Sequence, residues 1–135
     1  MKKAELLARL RAFPYGTEAF WVVTGAAMVL YGLREETADI DMGCTPEMAD
    51  RLESEGVPVR VMSDGNRRFR IDRETEVFEN WLYDSVAMLE GIPVISLRGL
   101  REMKRRLGRE KDLRDIERID AFLARDPGLS SAGPG

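Results

Sequence analysis

Histidine is absent from this sequence of 135 residues, and Cys44 is its only cysteine. The first absence excludes Ser-His-Asp and Cys-His nucleophilic chemistry and every histidine metal site. The second excludes an intrachain disulfide and a thiolate zinc cluster. Long apolar runs are lacking too. The longest, around Phe20–Tyr31, is interrupted by Thr24 and Gly25 and falls short of a membrane span. The opening "MKKAELLARLRAF" threads charges through its apolar residues, unlike the continuous apolar core of a signal peptide. A cytoplasmic protein with no membrane partner is therefore expected. Excess positive charge is also missing. The 21 basic residues stand against 24 acidic ones, a net charge of −3, which argues against a strongly basic nucleic-acid binder.

What is present is an ordinary soluble balance, 44% hydrophobic and 33% charged, which argues against disorder. Any catalysis must rest on carboxylates, lysine, arginine, hydroxyls and bound ions. The length suits one domain, expected over residues 1–125, and the Gly/Pro/Ser-rich tail at 126–135 is expected to be disordered.

Elements alternate along the chain. Residues 4–13 place Leu6, Leu7 and Leu10 among basic residues, an amphipathic helix ended by Pro14 and Gly16. "AFWVV" reads as a buried strand, and the chain then turns at Gly25 into a helix that stops at Gly32. The strand "DIDMG" follows, then a helix from Pro46 to about Glu55 with Gly56 just past its end. "VPVRVMS", the turn "DGN" and "RRFRID" form a hairpin, "TEVFENW" another strand, and "VAMLEGIPVIS" a second hairpin turning near Glu90 and Gly91. Helices from Leu97 to Leu107 and from about Lys111 to Ala124 close the order. This is an α+β, or mixed α/β, domain.

The informative feature is "LREETADIDMGC". Alternation around Ile40 and Met42 puts the carboxylates of Asp39 and Asp41 on one strand face. Side by side they repel unless a divalent cation lies between them, and hard carboxylate oxygens suit Mg²⁺ bridged to phosphates. The upstream turn brings Gly25 to a helix N-terminus, where free N–H groups favour an anion. Together the two suggest a metal–triphosphate site.

"VVTGAAMVLYGLREETADIDMG" resembles the signature of the DNA polymerase β-like nucleotidyltransferases: an apolar strand, a Gly-rich turn, about a dozen residues, then Asp-x-Asp between apolar residues. "EVFENW", "GIPVISLRGL" and "GREKDLRDIERID" extend the likeness over roughly residues 18 to 123. In this detail the chain is similar to the minimal nucleotidyltransferase-like proteins related to AbiEii-type toxins and MNT-type antitoxins. The resemblance implies a central mixed sheet flanked by helices with short C-terminal helices. It also implies transfer of a nucleoside monophosphate from an NTP to a hydroxyl of a protein or RNA acceptor, with Mg²⁺ or Mn²⁺. By position, Asp39, Asp41 and Glu76 match the metal-binding catalytic carboxylates. Thr24, Gly25 and Ala26 match the Gly-rich turn, and Arg34 and Lys111 the nucleotide-binding side, with Asp112 following the lysine. Three departures stand out: Thr24 replaces a glycine, Glu76 replaces the usual Asp, and Glu35 adds negative charge nearby.

Other readings accompany these residues. Asp72, Glu74 and Glu79 compete with Glu76 for the third carboxylate, and Gly25 could serve the turn alone. Lys111 and Asp112 suit a solvated helix start, and "RGLREMKRRLGREK" a solvated helix face or an RNA-binding surface. Trp21, Trp81, Tyr31 and Phe78 read as core rather than stacking platforms. A catalytically degenerate nucleotide-binding or antitoxin-like interaction module is the alternative function, and the few C-terminal helices suggest that an acceptor site would need a partner protein or a homodimer.

Overall fold

The computed structural model describes residues 1–125, so the tail expected at 126–135 lies outside the described residues. In chain order the elements are α1 (Lys3–Arg11), β1 (Phe20–Val23), α2 (Thr24–Leu30), β2 (Ile40–Cys44), α3 (Pro46–Ser54), β3 (Val59–Val61), β4 (Arg67–Arg70), β5 (Thr75–Glu79), β6 (Val86–Leu89), β7 (Ile92–Ile95), α4 (Leu97–Leu107) and α5 (Glu110–Arg125). The strands form one mixed sheet in the order β3-β4-β5-β2-β1-β7-β6.

Burial follows from position in that order. β1 and β7 run parallel near the middle, and both read as unbroken apolar runs because both of their faces are covered. β3, at one edge, is exposed throughout. β6 and β7 are joined by the tight turn at Glu90 and Gly91, whose φ values of +51° and +81° make a two-residue hairpin loop. Helix ends are marked locally. Thr45 caps α3 by accepting from the Met48 N–H, with Pro46 at the first helical position, and Ser96 caps α4 by accepting from Gly99. α4 and α5 pack against each other, and α2 packs against α1 and α4. Among the described residues no helix is long and apolar enough to cross a membrane.

The pairing that positions the candidate site is β2 with β5, parallel and in register at Ile40–Thr75, Asp41–Glu76 and Met42–Val77. Side chains at paired positions share a face. Ile40, Met42, Thr75 and Val77 are all buried on one side, which leaves Asp41 and Glu76 together on the other. Two expectations shift in detail. β2 begins at Ile40, so Asp39 lies just before the strand and is exposed rather than being a strand residue. The helix after β1 begins at Thr24 rather than past Gly25, and Thr24 itself takes a φ of +53°.

Candidate active site

Thr24 connects the local sequence to the site. Its φ lies in the left-handed region, where a β-branched residue is strained by about 1–2 kcal/mol. The conformation is held because the Thr24 hydroxyl donates to Asp41 Oδ2 at 2.9 Å. Replacing Thr24 by Gly removes both strain and hydrogen bond, so thermal unfolding should show a near-neutral change. Thr24→Val keeps the strain and deletes the donor, and should cost roughly 1–2 kcal/mol.

Gly25 follows at the floor of the cleft. A Cβ there would meet Arg34 Nη1 at 2.6 Å and Thr37 Oγ1 at 3.0 Å, so the missing side chain is what lets the Arg34 guanidinium lie over the turn. Ala26 is fully buried and could offer the cleft only its backbone. α2 is seven residues long. The positive field at this end of the cleft therefore comes chiefly from side chains.

Those side chains come from the loop after α2 and from α4, α5 and the turn between them; the resemblance connects Arg34 and Lys111 to this site, but not Lys104 or Arg109. Lys104 on α4 is only 3% exposed and pairs with Asp115 at 3.0 Å and Asp112 at 3.4 Å, both on α5 and both buried. Arg34 Nη2 donates to Asp115 Oδ2 at 2.7 Å, and Arg109 Nε to Asp112 Oδ2 at 2.6 Å. Burial pushes both aspartates up, but their cationic partners outweigh it and hold each below the usual carboxylate range. Lys111, exposed on the first turn of α5, lines the same cleft without an ion pair among the described residues.

The opposite wall is acidic. Burial raises the Asp41 carboxyl, the Thr24 hydrogen bond lowers it, and the neighbouring Glu76 and Asp39 raise it again. Glu76 lies beside Asp41 on the same sheet face but is engaged by arginines. It accepts from Arg68 Nε at 2.5 Å and pairs with Arg70 at 3.3 Å, both on β4. Among the described residues no three carboxylates close into a metal-sized group. The competing acids go elsewhere: Glu79 binds Arg67, while Glu74 and Asp72 pair with Arg9. Cys44 is buried and burial pushes its thiol up to about 12, so it offers no nucleophile.

Together these residues line a cleft of about 470 Å³ that contains Thr24, Gly25, Arg34, Asp39, Asp41, Glu76 and Lys111. Every expected site residue but Ala26 therefore borders one space. The nearby "RGLREMKRRLGREK" segment is only partly a solvated face, because Lys104 within it is buried. Phe78 and Trp81, expected in the core, are half-buried and form part of the cleft wall, their rings 4.8 Å apart. Trp21 does lie in the core, crossing the space a Gly43 side chain would fill and donating from Nε1 to the Trp81 carbonyl at 2.8 Å.

No family model matches the chain, and no curated protein matches it. A solved structure does: the crystal structure of a "putative nucleotidyltransferase" from Thermotoga maritima superposes with a TM-score of 0.58 over 93% of this chain and 96% of that chain, at 22% identity. The fold is nucleotidyltransferase-like. At this identity the likeness establishes the fold, and the chemistry rests on the cleft.

Arg68, Lys104 and Arg109 are cleft residues that sequence reading missed, as is Asp115, the buried partner of Lys104 and Arg34 behind the cleft. A signal existed for two of them. Lys104 falls four residues after Leu100 and seven after Leu97, on the apolar stripe of α4, and Asp115 precedes Ile119 by four on the buried stripe of α5. A charge at a core position needs a buried partner.

Proposed function

We propose that this protein transfers a nucleoside monophosphate from a nucleoside triphosphate to a hydroxyl of a protein or RNA acceptor, with Mg²⁺ or Mn²⁺ as cofactor. The observation that carries this reading is the polarity of the cleft. Asp39, Asp41 and Glu76 border it together with Arg34, Arg68, Lys104, Arg109 and Lys111, beside a turn whose Gly25 has no side chain. An all-oxygen donor set suits a hard divalent ion, and the burial and like-charged neighbours that raise Asp41 are what a cation there would relieve. Asp39 and Asp41 would hold the ion, with Glu76 joining them by turning from Arg68. When bound, such an ion neutralises transferring phosphoryl oxygens and favours deprotonation of the attacking hydroxyl.

The remaining steps belong to the chain. Lys111 and Arg109, both exposed, neutralise the triphosphate, and Gly25 leaves room for it. Lys104 and Arg34 hold α4, α5 and the turn in fixed relation through Asp115. Thr24 orients Asp41. The acceptor oxygen forms a bond to the α-phosphorus as the bond to pyrophosphate breaks, and the hydroxyl proton passes to the Glu76 carboxylate.

One observation favours a second reading. Glu76 is engaged by two arginines, which suits a catalytically degenerate module that binds nucleotide, or a protein partner in the manner of an antitoxin, without transfer. Calorimetric titration of each NTP with and without Mg²⁺, followed by incubation with labelled NTP and lysate, separates the two. Metal-dependent binding with labelled product is the expected result. Binding without product leaves the nucleotide-binding module, and no binding removes transfer and nucleotide binding alike and leaves only a protein-binding module.

A further inference from the structure

The transfer reading leaves a set of arginines unexplained. Arg68 and Arg70 on β4 and Arg60 on β3 share one sheet face, because Arg60 pairs directly with Arg68, and Arg70 with Glu76. With Glu76 they line an open cleft of about 260 Å³ that shares Arg68 and Glu76 with the larger one. Like charges directly opposite on a strand pair are destabilising. Three arginines face a single carboxylate here, and Arg60 is exposed with no ion pair among the described residues.

The sheet order gives these charges a direction. Gly25 follows β1, Asp41 lies on β2, Glu76 on β5, Arg68 and Arg70 on β4, and Arg60 on β3. With about 4.8 Å between strands, the arginines begin roughly 10 Å beyond Asp41, on the side away from Gly25. In an in-line displacement the nucleophile enters opposite the leaving pyrophosphate. The triphosphate has its own cations beside Gly25, so the acceptor comes in over β5 and β4. Its path carries a net positive charge and runs past Phe78, over which the Arg68 guanidinium lies at 5.3 Å from the ring centre, and Trp81.

We propose that the β3–β4 face is the acceptor-docking surface and that the acceptor is the hydroxyl-bearing end of a single-stranded nucleic acid. The proposal rests on the nucleotidyl-transfer reading and narrows its acceptor. Arg60, Arg68 and Arg70 take successive phosphates behind the terminal sugar, and Trp81, half-exposed in the cleft wall, lies beside the last bases. The acceptor hydroxyl is itself neutral, so the arginine face is met by anions behind it, and a single strand supplies one at every nucleotide.

The test is fluorescence anisotropy with a labelled single strand of about 12 nucleotides, as RNA and as DNA, across a salt series. A phosphoserine peptide serves as competitor. Arg60→Glu should weaken strand binding about tenfold or more and make the log–log salt slope shallower by about 0.7 for the lost phosphate contact. Its melting temperature should hold or rise, because the new carboxylate lies opposite Arg68, and Mg²⁺–NTP affinity should not change. Arg70→Ala should show a similar loss of slope. Strand binding unchanged in both variants, or a phosphopeptide that binds more tightly than either strand, overturns the proposal. Tighter RNA than DNA binding, through the 2′-hydroxyls, is the expected result, and tighter DNA binding overturns the RNA acceptor of the transfer reading. If the strands bind through the arginines while no NTP binds, the transfer reading fails and the nucleic-acid site stands.

Discussion

Replacing Asp39 and Asp41 together with Asn should weaken Mg²⁺-dependent NTP binding by more than about 100-fold, beyond what loss of an outer-shell partner costs, and abolish transfer. The same change should make the protein more stable, not less. Burial, Glu76 and Asp39 together hold the Asp41 carboxyl above its ordinary range. A carboxyl raised in this way contributes stability while it is protonated, and that contribution is lost as pH rises through its folded value. At neutral pH the ionised Asp41 is a net cost that Asn does not carry. Thermal unfolding should therefore show the variant a few degrees above the parent at pH 7, with the gap closing as pH falls into the carboxylate range. Added Mg²⁺ with NTP should raise the melting point of the parent alone. Retained Mg²⁺–NTP affinity in a folded double variant would remove the metal assignment. A variant that melts lower at pH 7 would show instead that the two carboxylates support the fold.

The contrast between what was legible in the sequence and what was not follows the range of the forces involved. The turn at Gly25, Asp41 in its strand and the two hairpins were legible because alternation and turn chemistry act within a few residues. Glu76 could be placed beside Asp41 only if "TEVFENW" paired with "DIDMG", and the β2–β5 register supplies that pairing. Its engagement by Arg68 and Arg70 could not be read, since it depends on a second strand pairing between β4 and β5. Asp39 dropped out of the strand because strand pairing starts one residue later, at Ile40 opposite Thr75. Thr24 carries a backbone conformation that its side chain disfavours, so local preference pointed away from it. The basic run in α4 hid Lys104 most completely. Its four basic neighbours in the helix are arginines, three of them exposed, and only the apolar stripe singles it out.

That buried lysine carries the other large expected effect. Lys104→Met preserves the length and apolar stem of the side chain while removing its charge. It leaves Asp112 and Asp115, 0% and 2% exposed, without the partner they share. Breaking a buried ion pair from one side typically costs 3–5 kcal/mol. Asp115 retains Arg34 and Arg118, and Asp112 retains Arg109, so the loss should fall toward about 3 kcal/mol. In the parent both aspartates lie below the usual carboxylate range. Their stabilising contribution is present above the unfolded value and is lost as pH falls through the folded one. The variant should reverse part of that dependence at Asp115, whose leading cationic partner is Lys104: with the lysine gone, burial weighs more, and protonating that aspartate relieves it. The gap between parent and variant should be widest near pH 7 and narrow in acid. Denaturant melts at both pH values measure it, and a gap that stays constant from pH 7 to pH 4 would show that Lys104 acts through packing rather than charge. Because Asp115 also holds Arg34 over Gly25, the same variant should weaken NTP binding more than nucleoside binding even where it remains folded. Pairing Lys104→Met with Asp115→Asn should recover part of the lost stability, since the second change removes the stranded charge.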